Sequence, residues 1–93
     1  MGHRYLLGLD AGTSVIKSVI FDLEGNEIAI EKAEVPIDAP QAGWSEQDMD
    51  AVWEAAKKTM REVVQKVGLS PHDIALIGTT AQGSGCWMID AQG

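Results

Sequence analysis

The sequence predicts an α/β fold: an antiparallel meander of three strands, one long helix, and a strand that returns parallel to the sheet. Three observations carry that reading. Residues 4–9 and 15–21 are short apolar runs flanking the small, turn-compatible residues Ala11-Gly12-Thr13-Ser14. The second run is rich in β-branched side chains, so the pair reads as a hairpin. Met49, Val52, Trp53, Ala56, Met60, Val63, Val64 and Val67 recur at the spacing of one helix face. Residues 74–80 form a further apolar run entered from a helix, and a strand after a helical crossover is most simply parallel to an earlier one.

The remaining segments fit between these. Asp22-Leu23-Glu24-Gly25-Asn26 supplies a second turn in which Gly25 and Asn26 tolerate positive φ. Glu27-Ile28-Ala29-Ile30-Glu31 opens an alternating stretch over residues 27–35, as a strand with one wet face requires. Pro36, Pro40 and Gly43 mark a loop. Asp48 is the predicted N-cap of the helix and Gly68 its terminator, with Trp53 assigned to the helix core. The opposite face carries Asp50, Glu54, Lys57, Lys58, Arg61, Glu62 and Lys66, acids early and bases late as the helix dipole favours. Ser70-Pro71-His72-Asp73 has capping-box spacing and predicts a single helical turn. Residues 86–89 are expected to form a last strand with Cys86 buried on it, and residues 90–93 to turn into a further hairpin. Trp44 and Trp87 are expected to pack rather than to stack on a ligand.

Composition narrows function. Seven Lys and Arg against fourteen Asp and Glu leave a formal charge of −7, so the chain has no generic attraction for nucleic acid or an anionic membrane. A phosphate held here must be held by local geometry and a metal ion. A lone cysteine cannot form an internal disulfide, which makes a reducing cytoplasm the expected location. The apolar runs are too short to cross a bilayer, and nothing before Arg4 resembles a signal peptide. His3 and His72 have no Cys or His partner at ligand spacing, so zinc is not expected. Residues 78–84 lack the lysine a P-loop would need.

Strand, strand, strand, helix, strand is the opening of a ribonuclease-H-like sheet, and its first turn has two readings. Asp10-Ala11-Gly12-Thr13 is, on those four residues alone, most simply a turn with satisfied hydrogen bonds. Alternatively Gly12, Thr13 and Ser14 ring a phosphate oxygen with backbone N–H groups and two hydroxyls, Lys17 adds a point charge, and Asp10 holds Mg²⁺ that bridges to the phosphates.

The stretch Leu7-Gly8-Leu9-Asp10-Ala11-Gly12-Thr13-Ser14-Val15-Ile16-Lys17-Ser18-Val19-Ile20-Phe21-Asp22 resembles the first phosphate motif of the FGGY carbohydrate kinases, within the actin, Hsp70 and sugar kinase superfamily. Two further segments resemble the same family: Gly43-Trp44-Ser45-Glu46-Gln47-Asp48 leading into a Trp-bearing helix, and Ile77-Gly78-Thr79-Thr80-Ala81-Gln82-Gly83-Ser84-Gly85-Cys86-Trp87-Met88-Ile89-Asp90. Members are two-domain proteins several times longer. The resemblance therefore implies that residues 1–93 are the N-terminal part of the first, sugar-binding domain of an actin-like ATPase fold, the rest of that domain and the second domain lying outside this chain.

The resemblance further implies ATP-dependent, Mg²⁺-assisted phosphorylation of a sugar or polyol hydroxyl. It assigns Asp10 to the metal and phosphates, Gly12, Thr13 and Ser14 to the phosphate turn, Lys17 to the terminal phosphate, and Gln82, Gly83 and Ser84 to the substrate region. The family's general base comes from later chain, so these 93 residues alone are expected to be inactive. Glycerol kinases place Arg-Glu where Gly83-Ser84 stand, and xylulokinases typically place Gly-Gln-Met-His where Ala81-Gln82-Gly83-Ser84 stand. The Gln-Gly-x-Gly-x-Trp pattern here is more similar to kinases of erythritol or less common pentuloses, so a pentulose or polyol substrate is favoured. Two other classes stay open: a non-kinase nucleotide-binding protein of the same superfamily, against which the Trp44-Ser45-Glu46-Gln47-Asp48 segment argues, and a free-standing interaction domain. A half-built sheet also exposes apolar edges, and self-association, including a homo-oligomer, is expected of it.

Overall fold

Alternation along the first two strands sets the architecture. Leu7 on one and Ile16, Ser18 and Ile20 on the other are buried on the same face, and the helix lies over that face. The structure, a computed structural model, describes residues 4–83 and 85–92. It contains β1 (Tyr5–Ala11), β2 (Val15–Asp22), β3 (Glu27–Glu34), α1 (Met49–Val67), a 3₁₀ turn (Pro71–Asp73) and β4 (Ile74–Ala81). The sheet order is β3-β2-β1-β4. β1 and β3 flank β2 antiparallel, and β4 runs parallel to β1. The mixed α/β fold expected from the sequence is thus observed, with the antiparallel meander, the crossover helix and the parallel strand in their predicted order.

Two small clusters form the core. Leu7, Ile20 and Val63 make one, with Leu9, Ala29, Met60 and Val67 packed around it. Ile16, Val35 and Ala56 make the other. Between them sits a buried polar contact, Ser18 Oγ to Thr59 Oγ1 at 2.9 Å, with both residues fully inaccessible. Thr59 spends its only hydroxyl proton on the Ala56 carbonyl oxygen at 3.1 Å, so Ser18 is the donor in the pair.

The helix termini follow the predicted chemistry. Asp48 accepts from the Asp50 and Ala51 N–H groups at 2.9 and 3.4 Å. Gly68 takes φ 76°, donating to the Gln65 carbonyl while Leu69 donates to that of Val64, the paired bonds of a Schellman motif. Ser70 and Asp73 close a reciprocal capping box around Pro71. At the β2–β3 turn, Asp22 accepts from the Glu24 and Asn26 backbone N–H groups and from the Asn26 side-chain amide, and Gly25 sits at φ 87°.

Three sequence expectations change. Trp53 is 57% exposed rather than core. The line of α1 that meets the sheet runs through Ala56, Thr59 and Val63, and Trp53 lies about a quarter-turn away from it at 100° per residue. Its ring instead carries Lys57 Nζ at 5.5 Å, and Lys57 pairs with Glu54. Residues 86–89 form no strand, because an apolar run becomes a strand only where a neighbour supplies ladder bonds. Cys86 is accordingly exposed, and Met88 is 86% exposed. The turn after them is observed at Ala91 and Gln92, with the Gln92 N–H donating to Asp90 Oδ1, and Gly93 lies outside the described residues. β4 is the barest strand: Leu76 and Ile77, on its opposite faces, are both more than half exposed.

Two predictions follow from these contacts. Thr59→Val strands the Ser18 hydroxyl and is expected to cost about 1–3 kcal/mol, whereas Ser18→Ala combined with Thr59→Val costs less than the sum of the single changes; urea unfolding of the four species measures this. The Asn26 bonds hold the Asp22 carboxyl below its ordinary range. A depressed folded pKa stabilises the fold above the unfolded pKa and loses that contribution as pH falls through the folded value. Asn26→Ala should therefore raise the Asp22 pKa in an NMR titration and move the loss to higher pH.

Candidate functional site

The tip of the β1–β2 hairpin is tightly closed. The Gly12 N–H donates to the Val15 carbonyl at 3.1 Å, and the Val35 N–H donates to that of Ser14 at 2.9 Å. A Cβ on Gly12 would stand 2.9 Å from the Val15 oxygen and 4.0 Å from Asp10 Oδ1. Glycine is required here because the Val15 carbonyl approaches too closely for a side chain, and the Asp10 carboxylate stands nearby. This amends one sequence expectation: the Gly12 N–H is spent inside the hairpin and is not free for a ligand. The Thr13 and Ser14 side chains are exposed at the tip.

Register places the charged pair. Asp10 is the cross-strand partner of Lys17 and the parallel neighbour of Thr80. Leu7 and Leu9 pack toward α1, so by alternation Asp10, Lys17 and Thr80 share the other face of the sheet. There Gly8, Asp10, Phe21, Gly78 and Thr80 border an open, largely apolar depression of about 400 Å³.

A second cleft, of about 290 Å³, opens at the tip itself. It is lined by Thr13, Ser45, Gln47, Gln82, Cys86 and Trp87, among others. The antiparallel bridge between Asp38 and Glu46, with N–H to O distances of 2.8 Å both ways, folds the loop before α1 back toward the hairpin. Gln47 Nε2 then donates to the Thr13 carbonyl oxygen, and Gln82 Nε2 donates to Gln47 Oε1 at 3.0 Å. The Gln82 backbone N–H reaches the Ala11 carbonyl at 3.2 Å. Trp87 lies close to Gly85 and remains half exposed at the cleft.

Of the residues predicted from sequence, Asp10, Gly12, Thr13, Ser14, Lys17 and Gln82 come together at this end of the sheet. Gly83 follows Gln82 on the exposed chain, and Ser84 lies outside the described residues. Gln47 was not singled out by sequence reasoning; it lay within the Gly43–Asp48 segment without any sign of what it touches. For Mg²⁺, the donor set is the Asp10 carboxylate beside the hairpin turn, and among the described residues no group of three or more His, Cys, Asp or Glu side chains converges. That suits an ion which keeps several waters and takes its other ligands from nucleotide phosphates, through one or two protein carboxylates.

Comparison with known proteins identifies the family. The model of the FGGY family of carbohydrate kinases, N-terminal domain, matches residues 5–93, and the chain belongs to that family. It is 34% identical to a probable L-xylulose kinase of Pasteurella multocida over 96% of this chain, and 38% identical to a glycerol kinase of Synechocystis over 95%. It spans 18% of the length of each of those two relatives. The xylulose kinase of Rhodospirillum rubrum superposes with a TM-score of 0.78 at 26% identity, over 84% of this chain and 16% of that one.

The close approach at Gly12 makes a direct prediction. Gly12→Ala drives a methyl group into the Val15 carbonyl and should lower stability by about 1–3 kcal/mol, while Thr13→Ala, at an exposed position, should change it by less than about 0.5 kcal/mol. Thermal unfolding of the two variants compares them.

Proposed function

We propose that this chain is the N-terminal part of the sugar-binding domain of a kinase that transfers the terminal phosphoryl group of ATP to a hydroxyl of a pentulose or polyol. One observation carries the reading: the hairpin turn, the Gly43–Asp48 segment and Gln82, far apart in sequence, are joined by consecutive hydrogen bonds at one sheet end. Family membership supplies the reaction class. The names of the relatives, an L-xylulose kinase and a glycerol kinase, support the pentulose or polyol preference.

In this reading the turn at Gly12, Thr13 and Ser14 cups the nucleotide phosphates, with the Thr13 and Ser14 N–H groups and hydroxyls as donors. Lys17 offsets the charge of the terminal phosphate. Asp10 is the side chain that would hold Mg²⁺, which when bound neutralises charge on the phosphates. Gln82, with Gly83 and Ser84 after it, faces the sugar or polyol. The substrate hydroxyl oxygen bonds to the terminal phosphorus, the bond from that phosphorus to the ADP oxygen breaks, and the hydroxyl proton passes to a base that the rest of the enzyme contributes. The isolated chain is inactive in this scheme, its bare β4 favours self-association, and the full-length enzyme's use of ATP goes with a cytoplasmic location.

The test is ADP release by the full-length enzyme against a panel of pentuloses, hexuloses and polyols. Turnover that depends on a pentulose or polyol is the expected result, with Asp10→Asn lowering kcat/KM by about a hundredfold or more. ATP hydrolysis indifferent to every sugar would overturn the reading in favour of a non-kinase ATPase, and absence of nucleotide binding would leave an interaction domain.

A further inference from the structure

Gln47 stands between the phosphate turn and the substrate glutamine, and its amide has no choice of orientation. The Thr13 carbonyl oxygen can only accept, so Gln47 must turn its NH₂ group toward it. The Gln47 carbonyl oxygen is thereby directed at Gln82, which must answer with its own NH₂ group, at 3.0 Å. The order of the chain thus dictates which end of the Gln82 amide is committed to protein. Among the described residues its Oε1 and second N–H have no hydrogen-bond partner, and Gln82 lines the cleft together with Thr13 and Gln47.

The two ends of this chain do not depend on Gln47 equally. The turn is already held by backbone bonds from Gly12 to Val15 and from Val35 to Ser14, whereas the Gln82 side chain takes its orientation from Gln47 Oε1.

We propose that Gln47 is a positioning residue that orients the Gln82 amide, so that Gln82 Oε1 accepts a substrate O–H and its free N–H donates to a neighbouring hydroxyl or keto oxygen. The substrate class this recognises is a polyhydroxylated one with adjacent oxygens. The inference rests on the kinase reading above.

The experiment is steady-state kinetics of the full-length enzyme with its best sugar or polyol, comparing wild type, Gln47→Met, Gln82→Met and the double variant. Gln47→Met keeps the length of the side chain and removes both hydrogen bonds. It is expected to raise the sugar KM about tenfold, the scale of one lost hydrogen bond, and to change the ATP KM less than about twofold. Because Gln47 acts through Gln82, adding Gln47→Met to Gln82→Met should have little further effect. Gln47→Glu keeps the shape but presents only acceptors to the Thr13 oxygen, and should raise the sugar KM as much as Gln47→Met does. Additive effects, or a rise confined to the ATP KM, would overturn the inference while the kinase reading stands. No sugar-dependent turnover by the wild-type enzyme would overturn both.

Discussion

The parallel pairing of β4 with β1 is the constraint on which the site depends. Parallel neighbours cannot be joined by a tight turn, so the chain must leave the meander, cross the sheet as α1 and return. The return sets Thr80 beside Asp10 and Ala81 beside Ala11, and the next residue, Gln82, reaches back to the Ala11 carbonyl. A residue seventy positions from the hairpin thereby arrives at its tip. The loop that enters α1 does the same for Gln47, through the bridge from Asp38 to Glu46.

The same crossover decides how the helix is held. α1 is fastened to the sheet by the two small apolar clusters and by the Ser18–Thr59 contact between them. Lys66 adds a rim tie, donating to the Ile30 carbonyl at 3.2 Å and lying 3.3 Å from Glu31; an exposed pair of this kind adds little. Since α1 packs on the side of the sheet away from Asp10 and Lys17, its packing supports the site from behind while the charged pair stays accessible.

At the site, rigidity and openness are divided between backbone and side chains. The hairpin tip spends the Gly12 N–H on its own closure and the Ser14 carbonyl on the Val35 N–H that follows β3, which holds the turn in shape before any ligand arrives and reduces the ordering that binding would require. What it leaves outward are the exposed Thr13 and Ser14 side chains. The acidic surface does not oppose this, because a phosphate drawn to a small set of fixed donors and a metal ion does not need a basic field.

Much of this was legible in the sequence. Local chemistry determines the elements: β-branched runs around a Gly-Thr-Ser turn, an Asp48 cap, a Gly68 stop and a helical period each act within a few residues, so hairpin, helix and capping box could be read directly. Asp10, Gly12 and Lys17 were legible because strand register alone brings them together. Tertiary structure decided the rest. Trp53 has the right period for the core yet lies beside the contact line, since which part of an apolar stripe meets the sheet depends on how the helix is rotated against it. Thr59 is the reverse case, a polar residue buried because Ser18 waits opposite. Residues 86–89 have strand composition but no neighbouring strand to complete them. Gln47 joins two segments 34 and 35 positions away, and a hydrogen bond between side chains so far apart leaves no local trace: spacing and periodicity report what a residue does within its own element, and only the folded chain shows what it meets across the sheet.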